Sequence, residues 1–208
     1  MKNNGKSYKK VLKIFNNKRG TMEKKHIISI AGDLASGKGT ASKIISEKLN
    51  YGIYKNGEFF RKLAKDMNMD VTTFNKYVES HPEIDIQIEN SAKEYSKSHD
   101  NFIIDARLGW YAVPESFKVY LTVDINEAAR RAFEDANRKD TENFKSIEEQ
   151  KKDLELRFKL ENERYFNLYN VRKEDLSNYD LVIDTTDKLP DDIANEIIEK
   201  YNKWINTL

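Results

Sequence analysis

The chain has 208 residues, of which 38% are hydrophobic and 34% charged, with a formal net charge of +1. That length and balance suit one folded domain and exclude a disordered chain. The absence of cysteine excludes a disulfide framework and thiolate metal sites, and the three histidines (His26, His81, His99) lack ligand spacing.

No apolar run reaches the ~20 residues of a membrane span, and no secretory segment opens the chain, so the expected compartment is the cytoplasm. Residues 1–25 carry eight lysines and one arginine against one glutamate, a charge of +8 that leaves −7 on residues 26–208. An acidic body argues against a broad nucleic-acid surface on it. The arm places Tyr8, Val11, Leu12 and Phe15 on one helical face among lysines. It reads as a short basic amphipathic helix, as a disordered arm, or as an upstream extension of a protein whose functional start is Met22, and no function is assigned to it.

From His26 onward strand and helix signals alternate, which predicts an α/β fold with a mostly parallel sheet. His26–Ala31 reads as a buried strand, followed by a helix marked by Ala41, Ile44, Ile45 and Leu49. Tyr51–Tyr54 is a short strand, and Phe60, Leu63, Ala64 and Met67 mark the next helix. Val71–Glu79 reads as a third helix, and Pro82 opens a longer one to about Ser98. Phe102–Asp105 and Phe117–Val123 are strands. A charged helical region runs from about Asn126 to Tyr169 with a break near 139–143. Leu181–Asp184 is the fifth strand, and Ile193, Ile197, Tyr201 and Ile205 define the last helix. There is no internal repeat and no linker that would separate a second full domain.

Between the first strand and the first helix, Gly32-Asp33-Leu34-Ala35-Ser36-Gly37-Lys38-Gly39-Thr40 satisfies G-x-x-x-x-G-K. Glycines let such a P-loop curl so that backbone N–H groups face phosphate oxygens, and the following helix adds its positive end. Gly32, Ala35, Ser36, Gly37, Lys38, Gly39 and Thr40 are therefore the candidate ATP-binding residues, with Lys38 the charge for the β- and γ-phosphates. Gly39 displaces the hydroxyl to Thr40, so a role for Thr40 at Mg²⁺ runs through water. Ala35 occupies a position where many such loops have glycine and must tolerate the loop's dihedral.

A P-loop specifies a nucleotide, not an acceptor. Arg61 follows the second strand as Gly57-Glu58-Phe59-Phe60-Arg61, and Arg107 follows the third as Asp105-Ala106-Arg107. Both lie near the strand ends where open α/β sheets bind ligands. Arg130, Arg131 and Arg138 precede the break at 139–143, while Arg157 and Arg164, seven apart, share one helical face. An arginine-rich hairpin over a P-loop is suited to neutralise a phosphoryl group in transfer.

GDLASGKGT, NGEFFRKLA, HPEIDIQIE, FIIDARLGW, ERYFNLYN and YDLVIDTT, in that order, resemble the nucleoside monophosphate kinases, above all the compact cytidylate kinase-like group. The resemblance covers about residues 26–203 and omits the arm. It implies a P-loop NTPase fold, with a five-stranded parallel sheet flanked by helices, a monophosphate-binding insertion at about 55–100 and a helical lid at about 130–165. It implies ATP and Mg²⁺, with Asp105 organising the metal through water and Arg131 contributing to the nucleotide site. Gly57, Arg61 and Arg107 would bind the acceptor, and Asp85, within Pro82–Glu89, would lie near its base. Lys38, Arg107, Arg138, Arg157 and Arg164 would carry the transfer. The chain departs from the family at Glu58, often aspartate, and at Glu134, commonly a lid arginine.

The implied reaction is ATP with (d)CMP giving ADP and (d)CDP. The alternatives are a P-loop kinase for UMP, AMP or a small alcohol, the last with Asp105 as base, or a nucleotide-sensing binding protein of low turnover. The partner expected is a small-molecule nucleoside monophosphate. Sugar preference and oligomeric state are not specified.

Overall fold

The computed structural model of the protein describes residues 25–135 and 144–207. The readings of the arm up to residue 24, of Arg138, of the break at 139–143 and of the Glu58 side chain fall outside the described residues.

Among the described residues five strands form one sheet in the order β2-β3-β1-β4-β5, and every neighbouring pair is parallel. The strands are β1 (Ile27–Gly32), β2 (Gly52–Lys55), β3 (Phe102–Asp105), β4 (Phe117–Thr122) and β5 (Leu181–Asp184). β1 is central and all six of its residues are buried, as its near-continuous apolar sequence requires of a strand covered on both faces. Ile28 and Ile30 face α1 (Lys38–Leu49) and α8 (Pro190–Ile205), in a core with Ile45, Val119, Leu121, Ile197 and Tyr201. Ile27 points to the other face, with Phe102, Ile104 and Ala92. The period of two in β1 thus divides the core into its two halves.

Three helices stand between β2 and β3: α2 (Asn56–Asp66), α3 (Val71–Glu79) and α4 (Pro82–Ser98). α2 and α3 share a small core of their own around Phe60, Ala64, Phe74 and Val78. The Asp70 side chain caps α3, accepting from the Thr73 N–H at 2.8 Å. After β3 come α5 (Gly109–Ala112), α6 (Ile125–Glu134) and α7 (Ile147–Tyr169). Ser146 caps α7 and accepts from the Glu149 N–H, while the Glu149 carboxylate accepts from the Lys145 N–H.

Strand and helix positions match the sequence reading to within a few residues. α5 and the 3₁₀ turn at Leu176–Asn178 were not foreseen, because four and three residues are too short to show a period. α7 shows a further difference. Its buried face includes Asp153, Arg157, Glu161 and Arg164, where helical periodicity leads one to expect apolar side chains.

The register aligns the carboxyl ends of the strands. Lys55 pairs with Asp105, Ile30 with Asp105, Gly32 with Leu121 and Thr122 with Asp184. The P-loop leaves from β1 at the middle of that edge, and α7 packs against α3.

Candidate functional site

The loop after β1 is held by its own backbone and by β4. Gly32 has φ 152°, and a Cβ there would lie 2.4 Å from the Leu121 carbonyl oxygen, so no side chain fits. The Asp33 N–H donates to the Leu121 carbonyl at 2.9 Å. The Asp33 carboxylate accepts from the Tyr120 hydroxyl at 2.8 Å and the Val123 N–H at 3.2 Å. Ala35 adopts φ 60°, the left-handed region that the sequence reading had asked of it. Gly37, at φ 85°, caps α1. Lys38 folds back on the loop, its Nζ donating to the carbonyls of Gly32 (3.1 Å) and Asp33 (2.8 Å). Burial lowers the Lys38 ammonium to about 8, against the opposing pull of Asp105.

This loop floors a cavity of about 450 Å³ at the strand ends. Ala35, Ser36, Gly37, Lys38, Gly39 and Thr40 line it, and so do Gly57, Arg61, Asp105, Arg107, Arg131 and Arg157. The structure therefore brings together most of the residues singled out from the sequence. Gly32, Asp85 and Arg164 do not line the cavity, and Asp85 and Arg164 pair with each other. Arg164 Nε lies 2.6 Å from Asp85 Oδ2, with both side chains buried. Arg164 Nη1 also donates to Asn75 Oδ1 at 2.8 Å.

Arg131 is fixed in a plane by three neighbours. Nε donates to Glu127 at 2.7 Å, and Nη2 donates to the carbonyls of Thr185 (2.8 Å) and Thr186 (2.9 Å) in the loop after β5. Thr185 in turn donates to the Ser36 carbonyl at 3.2 Å, which ties that loop to the P-loop. Glu134 pairs instead with the exposed Arg130 at 2.5 Å, away from the cavity lining.

Several residues of the site lay outside the sequence reading. Lys55 and Asp135 line the cavity. Lys55 ends β2, so the strand-end argument used for Arg107 would have found it. Asp33 is the loop's tie to β4. Glu161, on the same face of α7 as Arg157 and Arg164, accepts from Arg107 Nε and from Lys173 Nζ, both at 2.7 Å. The two cations hold the Glu161 carboxyl far below the usual range in spite of burial. Lys173 carries no signal of spacing or motif. Glu89, buried on α4 near Asn56, has an Oε2 without a hydrogen-bond partner among the described residues, and burial, helped by the charge of Asp85, pushes its carboxyl up to about 8.

No group of three or more His, Cys, Asp or Glu among the described residues could hold a metal ion by itself. Asp105 and Thr40 both line the cavity and offer oxygen donors. Asp105 Oδ2 lies 3.7 Å from where a Cβ on Gly39 would stand, so the carboxylate adjoins the P-loop. Burial raises the Asp105 carboxyl against the pull of Lys38, Lys55, Arg107 and Arg61. One carboxylate and one hydroxyl fit a Mg²⁺ whose other oxygens come from phosphates and water.

The fold and this cavity define a P-loop phosphotransferase. Residues 27–187 match the model of the cytidylate kinase-like family. The chain is 38% identical to a cytidylate kinase of Thermoplasma volcanium over 86% of its own length and 95% of that protein's. It is 32% identical to an S-adenosylmethionine-dependent nucleotide dehydratase of Lacinutrix mariniflava, covering 36% of that longer protein. Its fold is similar to that of shikimate kinase from Acinetobacter baumannii, with TM-score 0.55, 16% identity and coverage of 90% and 98% of the two chains. The chain thus belongs to the cytidylate kinase-like family, within the nucleoside monophosphate kinases. Among the described residues no helix is long and apolar enough to cross a membrane.

Proposed function

We propose that the protein transfers the γ-phosphoryl group of ATP to the 5′-phosphate of CMP or dCMP. The observation that carries this reading is a single cavity joining Lys38 and its loop to Arg61 and Arg107. The family match and the 38% identity to a cytidylate kinase support the choice of cytosine.

In this reading the loop amides and Lys38 hold the donor's β- and γ-phosphates, and the flat, anchored guanidinium of Arg131 supports the adenine side. Arg61 and Arg107 grip the acceptor phosphate, with Gly57 leaving room beside Arg61. The acceptor's second ionisation lies near pKa ~6, so at neutral pH it arrives as a dianion and needs no protein base. An acceptor oxygen attacks the γ-phosphorus as the bond to the β-phosphate oxygen breaks, and ADP leaves. Alignment and cationic stabilisation are what this chain must supply. Lys38, Arg107 and Arg157 stand where the charge spreads. Arg138, outside the described residues, is assigned to the same role, and residues of about 130–165 to the lid. Asp85 and Arg164 support the acceptor side without lining the cavity. Mg²⁺, when bound by Asp105 and Thr40 through water, screens the phosphate charge.

ADP formation from ATP–Mg²⁺ tests the proposal, with CMP, dCMP, UMP, AMP, GMP and several metabolite alcohols as acceptors. The expected result is acceleration by CMP and dCMP above the rest. Acceleration by an alcohol alone, or by no monophosphate, would sink the reading.

A further inference from the structure

Lys173 lies in the segment after α7, and its side chain is 1% exposed. Its Nζ donates to Glu161 Oε2 at 2.7 Å and sits 4.8 Å from the Phe158 ring centroid. Its carbonyl accepts from the Tyr179 hydroxyl at 2.7 Å, and Tyr179 packs on Trp110 and Tyr120. The lysine is therefore built into an aromatic cluster and does not line the cavity. Burying an ammonium there is costly, and a methionine would fill the same space without that cost.

Its partner explains why the charge is kept. Glu161 Oε2 is shared, accepting from Lys173 Nζ and Arg107 Nε alike. One carboxylate cancels one cation. With Lys173 present the surplus positive charge rests on Arg107, the member of the trio that lines the cavity. Arg157 also bears on Glu161, but Glu161 is hydrogen-bonded to Lys173 and Arg107, so without Lys173 more of its negative charge would fall on Arg107 and weaken that residue's pull on an incoming anion. A purely structural Arg107–Glu161 pair needs no third charge, whereas a site that meets a phosphate through Arg107 does. Asp105 also faces Arg107, but Lys38 and Lys55 face Asp105 in turn. The use of Nε for Glu161 leaves the two terminal nitrogens of Arg107 for a ligand.

We propose that Lys173 is a positioning residue that shares the Glu161 charge and so leaves the charge of Arg107 available to the acceptor's phosphate. This rests on the assignment of Arg107 to the acceptor phosphate. The test is steady-state kinetics of Lys173→Met, Lys173→Arg and the double variant Glu161→Gln/Lys173→Met, with cytidine, which lacks the phosphate, as a competing ligand. Lys173→Met should raise the KM for CMP about tenfold, the scale of one charge-assisted contact. The KM for ATP should stay within about twofold, and cytidine inhibition should not change, because neither involves Arg107 and an acceptor phosphate together. Lys173→Arg should retain CMP binding, and the double variant, with both charges gone, should recover most of the loss. An unchanged KM for CMP in Lys173→Met, or equal weakening of cytidine, overturns the proposal. So does a double variant as weak as the single one. If Lys173→Met does not fold, the double variant decides alone, and an approximately tenfold rise in its KM for CMP would count against the role. A wild-type protein that does not phosphorylate CMP overturns the functional reading itself. A Lys173→Met enzyme equal to an active wild type removes only the role of Lys173.

Discussion

The floor of the cavity and its far wall are built by opposite means. The floor, Gly32–Thr40, is held mainly by main-chain geometry within nine consecutive residues and by hydrogen bonds to the adjacent strand. The wall is held by charged and polar side chains that meet across long separations, 54 residues for Arg107 and Glu161 and 89 for Arg164 and Asn75. Backbone amides survive any substitution except proline, so side-chain changes on the floor, Gly32 apart, should cost function and leave the fold. Buried ion pairs are unforgiving, since removing one partner strands the other charge. Damage to the wall should therefore cost the fold first.

The sharpest way to break this contrast is Asp85→Ala, which removes the ion-pair partner of the buried Arg164 while Asn75 still accepts from it. We expect a loss of about 3 kcal/mol in urea denaturation, much of it restored in Asp85→Ala/Arg164→Met. Survival of Asp85→Ala at full stability would show that the wall does not depend on its ion pairs.

On the floor, Lys38→Met should lower kcat by roughly 10²–10³-fold while shifting stability by less than about 1 kcal/mol. Because the Lys38 ammonium titrates near 8 in the free protein, its charge is complete below about pH 7 and fades as pH rises through 8. ATP affinity, measured by titration calorimetry from pH 6.5 to 9.5, should hold at the acid end and weaken above pH 8. The variant should lack that slope.

Glu89 tests the wall by a smaller route. Its carboxyl is raised from 4.5 to about 8, burial being the larger cause and Asp85 the next. A raised folded-state value gives stability that is present below 4.5 and lost as pH rises toward 8. The stability of the wild type relative to Glu89→Gln should thus fall by ~1–3 kcal/mol between pH 5 and pH 8. A difference independent of pH would mean that Glu89 finds a partner when ionised.

The smallest effect is expected at Ala35. Its left-handed backbone costs ~1–2 kcal/mol, and glycine would relieve that while adding about 0.4–1 kcal/mol of unfolded-chain entropy. Ala35→Gly should raise the thermal midpoint slightly with activity unchanged. A lower midpoint would show that the methyl group's packing beside Leu34 and Ala128 outweighs the strain.

These contrasts also mark what could be read in advance. The P-loop, the strand ends at Asp105 and the helix bearing Arg157 were legible because each depends on a few neighbouring residues. Arg131 was read as a nucleotide-site residue, and the structure adds the anchors at Thr185 and Thr186 that hold its plane. Asp85 and Arg164 were read as separate site residues. Only their position in space makes them a pair. Lys173 could not have been found, since a lone lysine after a charged helix looks like any solvated one.

The amino-acid sequence by itself determined the five strands, the alternation with helices and the phosphate loop, because hydrophobic period and glycine geometry act over a few residues. The tertiary structure alone decided which charges are buried and with whom: Arg107 with Glu161 and Lys173, Arg164 with Asp85. Coulomb attraction and desolvation depend on distance and burial, and separation along the chain encodes neither.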